Sequence, residues 1–446
     1  MTSRQPDDLA ASERPQSRLE KFLGFITVVK GGEAPVALLL FLNFFLLFTA
    51  YYLLKTAREA LILTESGAEV KTYSSAGQAL LFLLIVPLFG ALASKVSRTR
   101  LIQLVTLFFA SHLVVFYAAG RAGLHEGVVY YLWVGIFNNL VVAQFWAFAN
   151  DLYTPAQGKR LFPLVGLGAS LGAWIGAVLA SQLVRWMGPY PLLLIAAGVL
   201  ALCVVLSSYI HRRAARDHTR EEAAAADKPL GKEGGFALIF KDRYLLLIAC
   251  LTVLLNIVNT SGEFLLGKIV IAKAEAAFPG GVEMFEAREK YVGEFYGSYF
   301  GWTNLLGLLL QTFAAYRVFA AIGVGGAMLI GPGIAGIGYL LMLFTPALGV
   351  IRVLKILDNS NDYSIQKTAT QALYLPTSLD AKYKAKTAID TFFVRLGDLT
   401  QAGIVYIGTA LSFNIGVFAM LNLVLTGFWL MTALKLRSAL RGSQAD

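Results

Sequence analysis

The sequence has 446 residues, of which 57% are hydrophobic and 15% are charged, and its formal net charge is +10 at pH 7. A soluble domain usually has about 45–50% apolar and about 25% charged residues, so this composition argues against a soluble enzyme. The positive excess is spread over short segments between apolar runs. That distribution is typical of membrane loops and not of a nucleic-acid-binding surface.

The apolar runs are long enough to cross a bilayer, which takes about 20 mostly apolar residues. Residues 1–35 are expected to be a polar, cytoplasmic N-terminal segment without a cleavable signal peptide. Twelve predicted transmembrane runs follow: 36–57, 76–94, 100–119, 128–149, 161–184, 191–210, 244–262, 294–315, 321–343, 347–372, 387–411 and 414–434.

Basic residues give these runs a predicted orientation. Most lysines and arginines of the loops follow the even-numbered runs, as do Lys159 and Arg160 after run four. The other side has only Arg121, Arg185 and a mixed-charge loop over 268–294. Because basic loops favour the cytoplasmic side, both termini are predicted to be cytoplasmic.

A long polar stretch divides the runs into two sets of six. Residues 211–243 are predicted to be a cytoplasmic linker between the halves 36–210 and 244–434, and 435–446 a cytoplasmic tail. A weak internal repeat supports the division, since TAREAL at 56–61 resembles TSGEFL at 260–265. The predicted fold class is therefore all-α integral membrane, with twelve transmembrane helices in two six-helix halves and a major-facilitator-like arrangement.

Polar side chains occur at predicted membrane depth, where they are costly and usually face a cavity or a partner. In a major-facilitator fold the first and fourth helices of each half line the central cavity, and here all four carry polar groups. Arginine binds phosphate through paired hydrogen bonds and lysine through a point charge, so the cations suit an anionic substrate. The predicted substrate-binding residues are Lys55, Arg58, Asn138, Asn259, Arg352, Lys355 and Arg395.

Carboxylates at the same depth are predicted ion-pair or proton switches. They are Glu59, Glu263, Asp358 and Asp398. The alternative is that these charges form structural salt bridges that hold or gate the bundle. For Lys55 and Arg58, snorkelling near the end of run one is a further alternative.

Two motifs resemble nucleotide loops without meeting their requirements. Gly262–Lys268 match GxxxxGK, but the hydroxyl residue that would bind Mg²⁺ is missing at Ile269. Gly168, Gly172 and Gly176 recur every four residues and instead indicate close helix packing. No catalytic set, metal-ligand spacing or cofactor motif is present in the sequence, so no enzyme, metal or cofactor is expected.

Three segments resemble the ATP/ADP translocases of plastids and obligate intracellular bacteria. These are LKTAREALILT at 54–64, FWAFAN at 145–150 followed by KRLFPLVGLGA at 159–169, and KYKAKTAID at 382–390 followed by RLGD at 395–398. The resemblance extends over about 36–437. It implies a twelve-helix major-facilitator-like fold, a bacterial inner-membrane location and exchange of nucleotides without hydrolysis.

The family carries four charged positions that the resemblance places on this chain. The first, a lysine, falls on Arg58, which keeps the charge. Two glutamates fall on Val134 and Asn259, and a lysine falls on Asp398. Three positions therefore depart from the family.

These features lead to one functional hypothesis and two alternatives. The first is a transporter that exchanges nucleotides or related organophosphate anions by alternating access. The alternatives are a proton-coupled transporter of a different solute and a membrane receptor or scaffold that does not transport. The expected partners are a small anionic substrate and the lipid bilayer, with no nucleic acid, and the oligomeric state stays open.

Overall fold

The computed structural model describes residues 29–93, 98–153, 155–217, 235–344, 347–374, 376–378, 381 and 385–442. Residues 1–28 of the predicted N-terminal segment, 218–234 of the predicted linker and 443–446 of the predicted tail lie outside these residues, as do Lys382 and Lys384. Within the described residues all regular structure is helical, as predicted.

The helices follow the apolar runs closely. In chain order they are α1 (Ala34–Ala93), α2 (Arg98–Arg121), α3 (Gly127–Leu152), α4 (Pro155–Met187), α5 (Tyr190–Asp217), α6 (Gly235–Lys241), α7 (Arg243–Ala277), α8 (Phe285–Leu309), α9 (Ala315–Ala327), α10 (Ile330–Phe344), α11 (Leu348–Asn361), α12 (Lys367–Ala372), α13 (Lys386–Ala388), α14 (Val394–Ala410) and α15 (Ile415–Gly442). Three π-helical segments join helices end to end: Leu310–Ala314, Asp362–Gln366 and Ile389–Phe393.

Eight described helices are long and apolar enough to cross a membrane, and Ile330–Phe344 is apolar but shorter. The integral-membrane, all-helical fold class is therefore confirmed over the described residues. The count of twelve spans stays a prediction.

Gly67 divides α1 into two arms, 34–66 and 68–93. Its φ of 83° is in the left-handed region that glycine adopts without steric cost. The first arm continues past the predicted end of run one at residue 57, so Lys55 and Arg58 lie inside a helix. The predicted end of the run was wrong because charged side chains beyond it, such as Glu59, find partners that stabilise them in the helix.

The predicted loop over 268–294 was also wrong in extent. Helix α7 continues to Ala277 and α8 begins at Phe285, so only a short connection remains. Lys268, expected to begin the loop, lies in α7 and pairs with Glu69 at 2.5 Å. The charged residues of this segment led to the prediction of a loop. A charged side chain that has a partner is nevertheless compatible with a helix.

The chain forms two compact units. The first takes its described residues from Met1–Arg58, Ile85–Glu126 and Trp133–Ala225, and the second from Glu59–Leu84, Gly127–Leu132 and Ala226–Asp446. In the first unit α2 packs along α5. In the second, α7 packs against α14 and α15, while α8 packs against α11. The predicted division into sequence halves stays a prediction.

The glycines of α4 bring it against the first arm of α1. A Cβ atom at Gly168 or Gly172 would overlap the carbonyl oxygen of Phe41 or Phe45, and one at Gly176 would lie 2.7 Å from the carbonyl oxygen of Thr49. The predicted close packing is confirmed, and its spacing of four residues matches one face of a helix.

A partly buried ion pair holds the start of α1 against the start of α4. Arg160 donates two hydrogen bonds to Glu33, at 2.8 and 2.9 Å, and the backbone NH of Lys30 donates a third at 2.9 Å. Burial opposes ionisation of Glu33, but these bonds and the charge of Arg160 outweigh it and lower the pKa of the carboxyl. Arg160, which the sequence analysis assigned to a loop, therefore has a structural partner in Glu33.

Replacing Gly172 with alanine should destabilise the first unit by about 1–3 kcal/mol, the usual range for overpacking. The added methyl group must push α4 away from Phe45. The measurement is the melting temperature of the purified protein in detergent. Gly166→Ala is the matched control, since nothing lies within 4 Å of a Cβ atom there. Equal melting temperatures for the two variants would contradict the close packing.

Candidate functional site

The second unit contains a network of charged side chains centred on Lys355. This α11 residue is 4% exposed. Its Nζ donates to Asp358 Oδ2 and to Asn259 Oδ1, both at 2.8 Å, and lies 3.8 Å from Glu263 Oε1. One ammonium group is thus shared by two carboxylates and an amide from α7 and α11.

Glu263 joins α7 to two other helices. Its Oε1 accepts hydrogen bonds from Tyr299 OH of α8 at 2.9 Å and from Asn359 Nδ2 of α11 at 2.8 Å. Gly262 permits the close approach, since a Cβ atom there would lie 3.1 Å from Lys355 Nζ. Glu263 is therefore held by neutral donors as well as by Lys355.

A second ion pair connects the two arms of α1 across the break at Gly67. Glu59, on the first arm, is 1% exposed and pairs with Lys71 of the second arm at 2.6 Å. Lys71 Nζ also lies 5.3 Å from the centre of the Tyr296 ring of α8. The neighbouring pair, Glu69 and Lys268, connects the second arm to α7.

Arg352 differs from the other cations of this unit in its surroundings. Its guanidinium donates to Ser298 Oγ at 2.6 Å and lies 5.5 Å from the Phe295 ring centre. Among the described residues no carboxylate lies within ion-pair distance of it. A half-buried guanidinium of this kind has hydrogen-bonding capacity left for an anion.

Arg395 and Asp398 form a separate pair in α14. Arg395 Nη1 donates to Asp398 Oδ2 at 2.9 Å, and its guanidinium lies 5.3 Å from the Phe82 ring centre. Asn256 of α7 donates to Asp398 Oδ1 and to the carbonyl of Val394, both at 2.8 Å. Gly397 makes room for this amide, since a Cβ atom there would lie 2.8 Å from it.

The structure thus brings most of the predicted residues of the second unit into contact. Asn259, Glu263, Lys355 and Asp358 form one network, and Arg395 with Asp398 forms another. Lys55, Arg58 and Asn138 are half-buried in the first unit, where Lys55 Nζ lies 5.2 Å from the Tyr52 ring centre. Whether any of these residues binds substrate stays a prediction.

The three departures from the family have different surroundings. Val134 is fully buried. At the other two positions a charge of the expected sign lies about one turn away: Glu263 follows Asn259 by four residues, and Arg395 precedes Asp398 by three. Arg395 pairs directly with Asp398. Glu263 pairs with Lys355, which in turn donates a hydrogen bond to Asn259.

Several partners were not singled out from the sequence. Lys71 and Glu69 lie outside every predicted run, and Ser298 and Tyr299 have no charge to mark them. The available signal was Gly67, an isolated glycine in an otherwise helical pattern with Glu65, Glu69 and Lys71 around it. Among the described residues, no group of three His, Cys, Asp or Glu side chains could hold a metal ion.

Comparisons with known proteins agree with the fold and with the resemblance. The family model described as TLC ATP/ADP transporter matches residues 12–119. ADP,ATP carrier protein 1 of Chlamydia muridarum is 24% identical in an alignment that covers 97% of this chain and 93% of that protein. ADP,ATP carrier protein 3 of Rickettsia typhi is 23% identical, over 68% of each chain.

Solved structures share the fold at low sequence identity. The nucleoside transporter NupG has a TM-score of 0.61 at 17% identity and covers 90% of this chain and 98% of its own. A bacterial homologue of the iron transporter ferroportin, in an inward-facing state, has a TM-score of 0.64 at 13% identity and covers 91% and 99%. Their fold is major-facilitator-like, and their different cargoes show that the fold does not fix the substrate. The chain is therefore similar in sequence to ADP,ATP carrier proteins and has an all-helical, major-facilitator-like membrane fold.

Proposed function

We propose that this chain is a membrane transporter that exchanges ATP- and ADP-like nucleotides, or related organophosphate anions, by alternating access. The alignment with ADP,ATP carriers along almost the whole chain carries the proposal. In this proposal the nucleotide is cargo and is not hydrolysed, so the chain is not an enzyme.

Arg352 is the first phosphate ligand in this proposal. Its guanidinium is bonded to a hydroxyl and not to a carboxylate, so an incoming phosphate displaces no ion pair. The planar guanidinium can offer two parallel N–H donors to one phosphate. Ser298 and Phe295 orient the group before the anion arrives.

Lys355 is the second phosphate ligand and the element that couples binding to a structural change. To bind phosphate, its ammonium must loosen its contacts with Asp358 and Glu263. Those carboxylates belong to different helices, so binding alters the contact between α7 and α11. When the nucleotide leaves, the two carboxylates pair with the Lys355 ammonium again, so no buried charge is left without a partner.

Arg395 and Asn259 complete the proposed substrate-binding set within the second unit, and Lys55, Arg58 and Asn138 are the proposed substrate-binding residues of the first unit. Arg395 replaces the family lysine from one turn earlier in α14, with Asp398 and Asn256 fixing its position. Glu59 and Lys71 are the corresponding ion-pair switch across the break in α1.

The proposed location is a bacterial inner membrane with both termini in the cytoplasm. The distribution of basic loop residues supports it. A fluorescent protein that matures only in the cytoplasm, fused after Asp446, should be bright in intact cells. Its fluorescence should match that of a fusion placed in the 211–243 linker. A dark C-terminal fusion on a protein of normal abundance would reverse the proposed orientation.

Uptake of labelled ATP into proteoliposomes tests the exchange. Vesicles loaded with ADP should accumulate label, and empty vesicles should not, because exchange needs a counter-substrate. A pH gradient across vesicles without internal nucleotide is the comparison. Uptake driven by that gradient alone would favour the proton-coupled alternative. Absence of uptake under every condition by a folded protein would discard the nucleotide as substrate.

Replacing Arg352 with glutamine should raise the KM for nucleotide about 10- to 100-fold. This range corresponds to the loss of one charged hydrogen bond, about 1.5–3 kcal/mol. Arg317→Gln is the matched control, since Arg317 is exposed on α9 and donates to the carbonyl of Phe313. Equal KM values for the two variants would remove Arg352 from the binding site.

A further inference from the structure

Helix α11 and the π-helical segment after it contain a continuous polar stretch at membrane depth. Residues 359–364 read Asn-Ser-Asn-Asp-Tyr-Ser, and Asn359, Ser360, Asn361 and Ser364 are buried. The π-helical turn begins at Asp362. π-helical turns inside α-helices occur frequently at functional sites.

Asp362 is an unmatched acidic group in this stretch. Its carboxylate makes no hydrogen bond or ion pair with another side chain in the described part of the chain. It follows Asp358 by four residues, so the two carboxyl groups lie near one face of the helix. Asp358 already pairs with Lys355, the same ammonium that serves Glu263.

The charge balance around Lys355 is therefore negative. Three carboxylates, those of Glu263, Asp358 and Asp362, accompany the Lys355 ammonium group, while Lys71, which also acts on Glu263, is already paired with Glu59. A charged carboxylate without a partner is costly in a low-dielectric environment, and protonation removes that cost. Lys367 is the other cation that acts on Asp362, from the next turn.

Buried acceptor atoms beside Asp362 independently indicate a missing donor. Asn359 Oδ1 and Asn361 Oδ1 have no hydrogen-bond partner, and both residues are less than 5% exposed. Asn359 Nδ2 is bonded to Glu263 and to Tyr299, so this amide belongs to the same network. A neutral carboxylic acid provides an O–H donor that a carboxylate lacks.

The other groups around this segment do not supply a compensating positive charge. The tyrosines that bound the network, Tyr299 of α8 and Tyr339 of α10, are neutral hydroxyl groups, and they donate to Glu263 Oε1 and to the carbonyl of Val258. Helix α9, which also packs against the π-helical segment, has its titratable side chains Tyr316 and Arg317 exposed.

We propose that Asp362 is a proton-binding site within the transport pathway and that its protonation favours binding of the anionic substrate. The proton-binding site stands on the geometry alone, while its place in the transport pathway and its effect on substrate binding rest on the proposed function. Protonation of Asp362 removes one of the negative charges that compete with phosphate for the Lys355 ammonium. An incoming phosphate then meets a more positive site. By thermodynamic reciprocity, substrate binding then promotes proton uptake by the same factor.

Infrared difference spectroscopy of the reconstituted, nucleotide-free protein tests the proton site. A change from alkaline to acidic buffer should produce the carbonyl-stretch band of a protonated carboxylic acid. Asp362→Asn should remove a component of this band, and Asp362→Glu should retain it at a shifted frequency. Asp390→Asn is the matched control, because Asp390 is an exposed aspartate in the π-helical segment of run eleven, and it should keep the Asp362 component.

An Asp362→Asn spectrum identical to that of the wild type would overturn the proposal. A band that responds to sodium and not to pH would also overturn it, since the site would then hold a metal cation. Circular dichroism and melting temperature show whether each variant is folded. The Asp362→Glu variant keeps the test decisive if Asp362→Asn does not fold, because a shifted band still assigns the carboxyl.

Binding of labelled ADP then tests the coupling. Wild-type affinity should fall as pH rises, by up to about tenfold per pH unit, which is the limit for one linked proton. Asp362→Asn should lose the part of this pH dependence that comes from Asp362. Titration of the ADP phosphates affects the affinity of both proteins equally. Equal pH slopes would overturn the coupling. If no protein binds ADP but the infrared band depends on Asp362, the nucleotide proposal fails and the proton site stands.

Discussion

The central constraint on this structure is the cost of charge in a low-dielectric interior. Lys355 is almost fully buried, and a network of side chains from α7, α8 and α11 is arranged around its ammonium group. Asp358 and Glu263 compensate it, Asn259 accepts one of its hydrogen bonds, and Tyr299 and Asn359 satisfy the Glu263 oxygen that faces it. A partner removed from such a network leaves an uncompensated buried charge, which costs far more than the pair contributes.

The same constraint explains why charged residues extend the helices instead of ending them. Glu59, Lys71, Glu69 and Lys268 all lie in helices, and each is paired with another member of this set. The non-helical backbone at Gly67 interrupts α1 between Glu59 and Lys71, and the two side chains pair across this kink. The acidic and basic residues here belong to the interior of the second unit, not to a solvated loop.

Relative to the ATP/ADP translocases, the chain keeps charges while changing their positions. Glu263 and Arg395 lie about one helical turn from the family positions at Asn259 and Asp398, and both contact the same networks. A residue one turn away occupies the same helix face, so a charge can move by three or four positions and stay on that face. Position 134 has no such replacement, because the residues three and four positions away on either side carry no charge.

The sequence alone determined the fold class and the type of chemistry. Apolar runs of membrane length require helices, because no water is present in the bilayer core to satisfy the backbone, and this reasoning needs no tertiary information. The glycine repeat in α4 and the cations of runs one, ten and eleven were also visible as patterns. Only the tertiary structure decided the pairing: that Lys355 is shared by Glu263 and Asp358, that Glu59 meets Lys71, and that Arg352 has a hydroxyl in place of a carboxylate. Pairing depends on distances of a few ångströms between separate helices, and the spacing of residues within one helix does not contain that information.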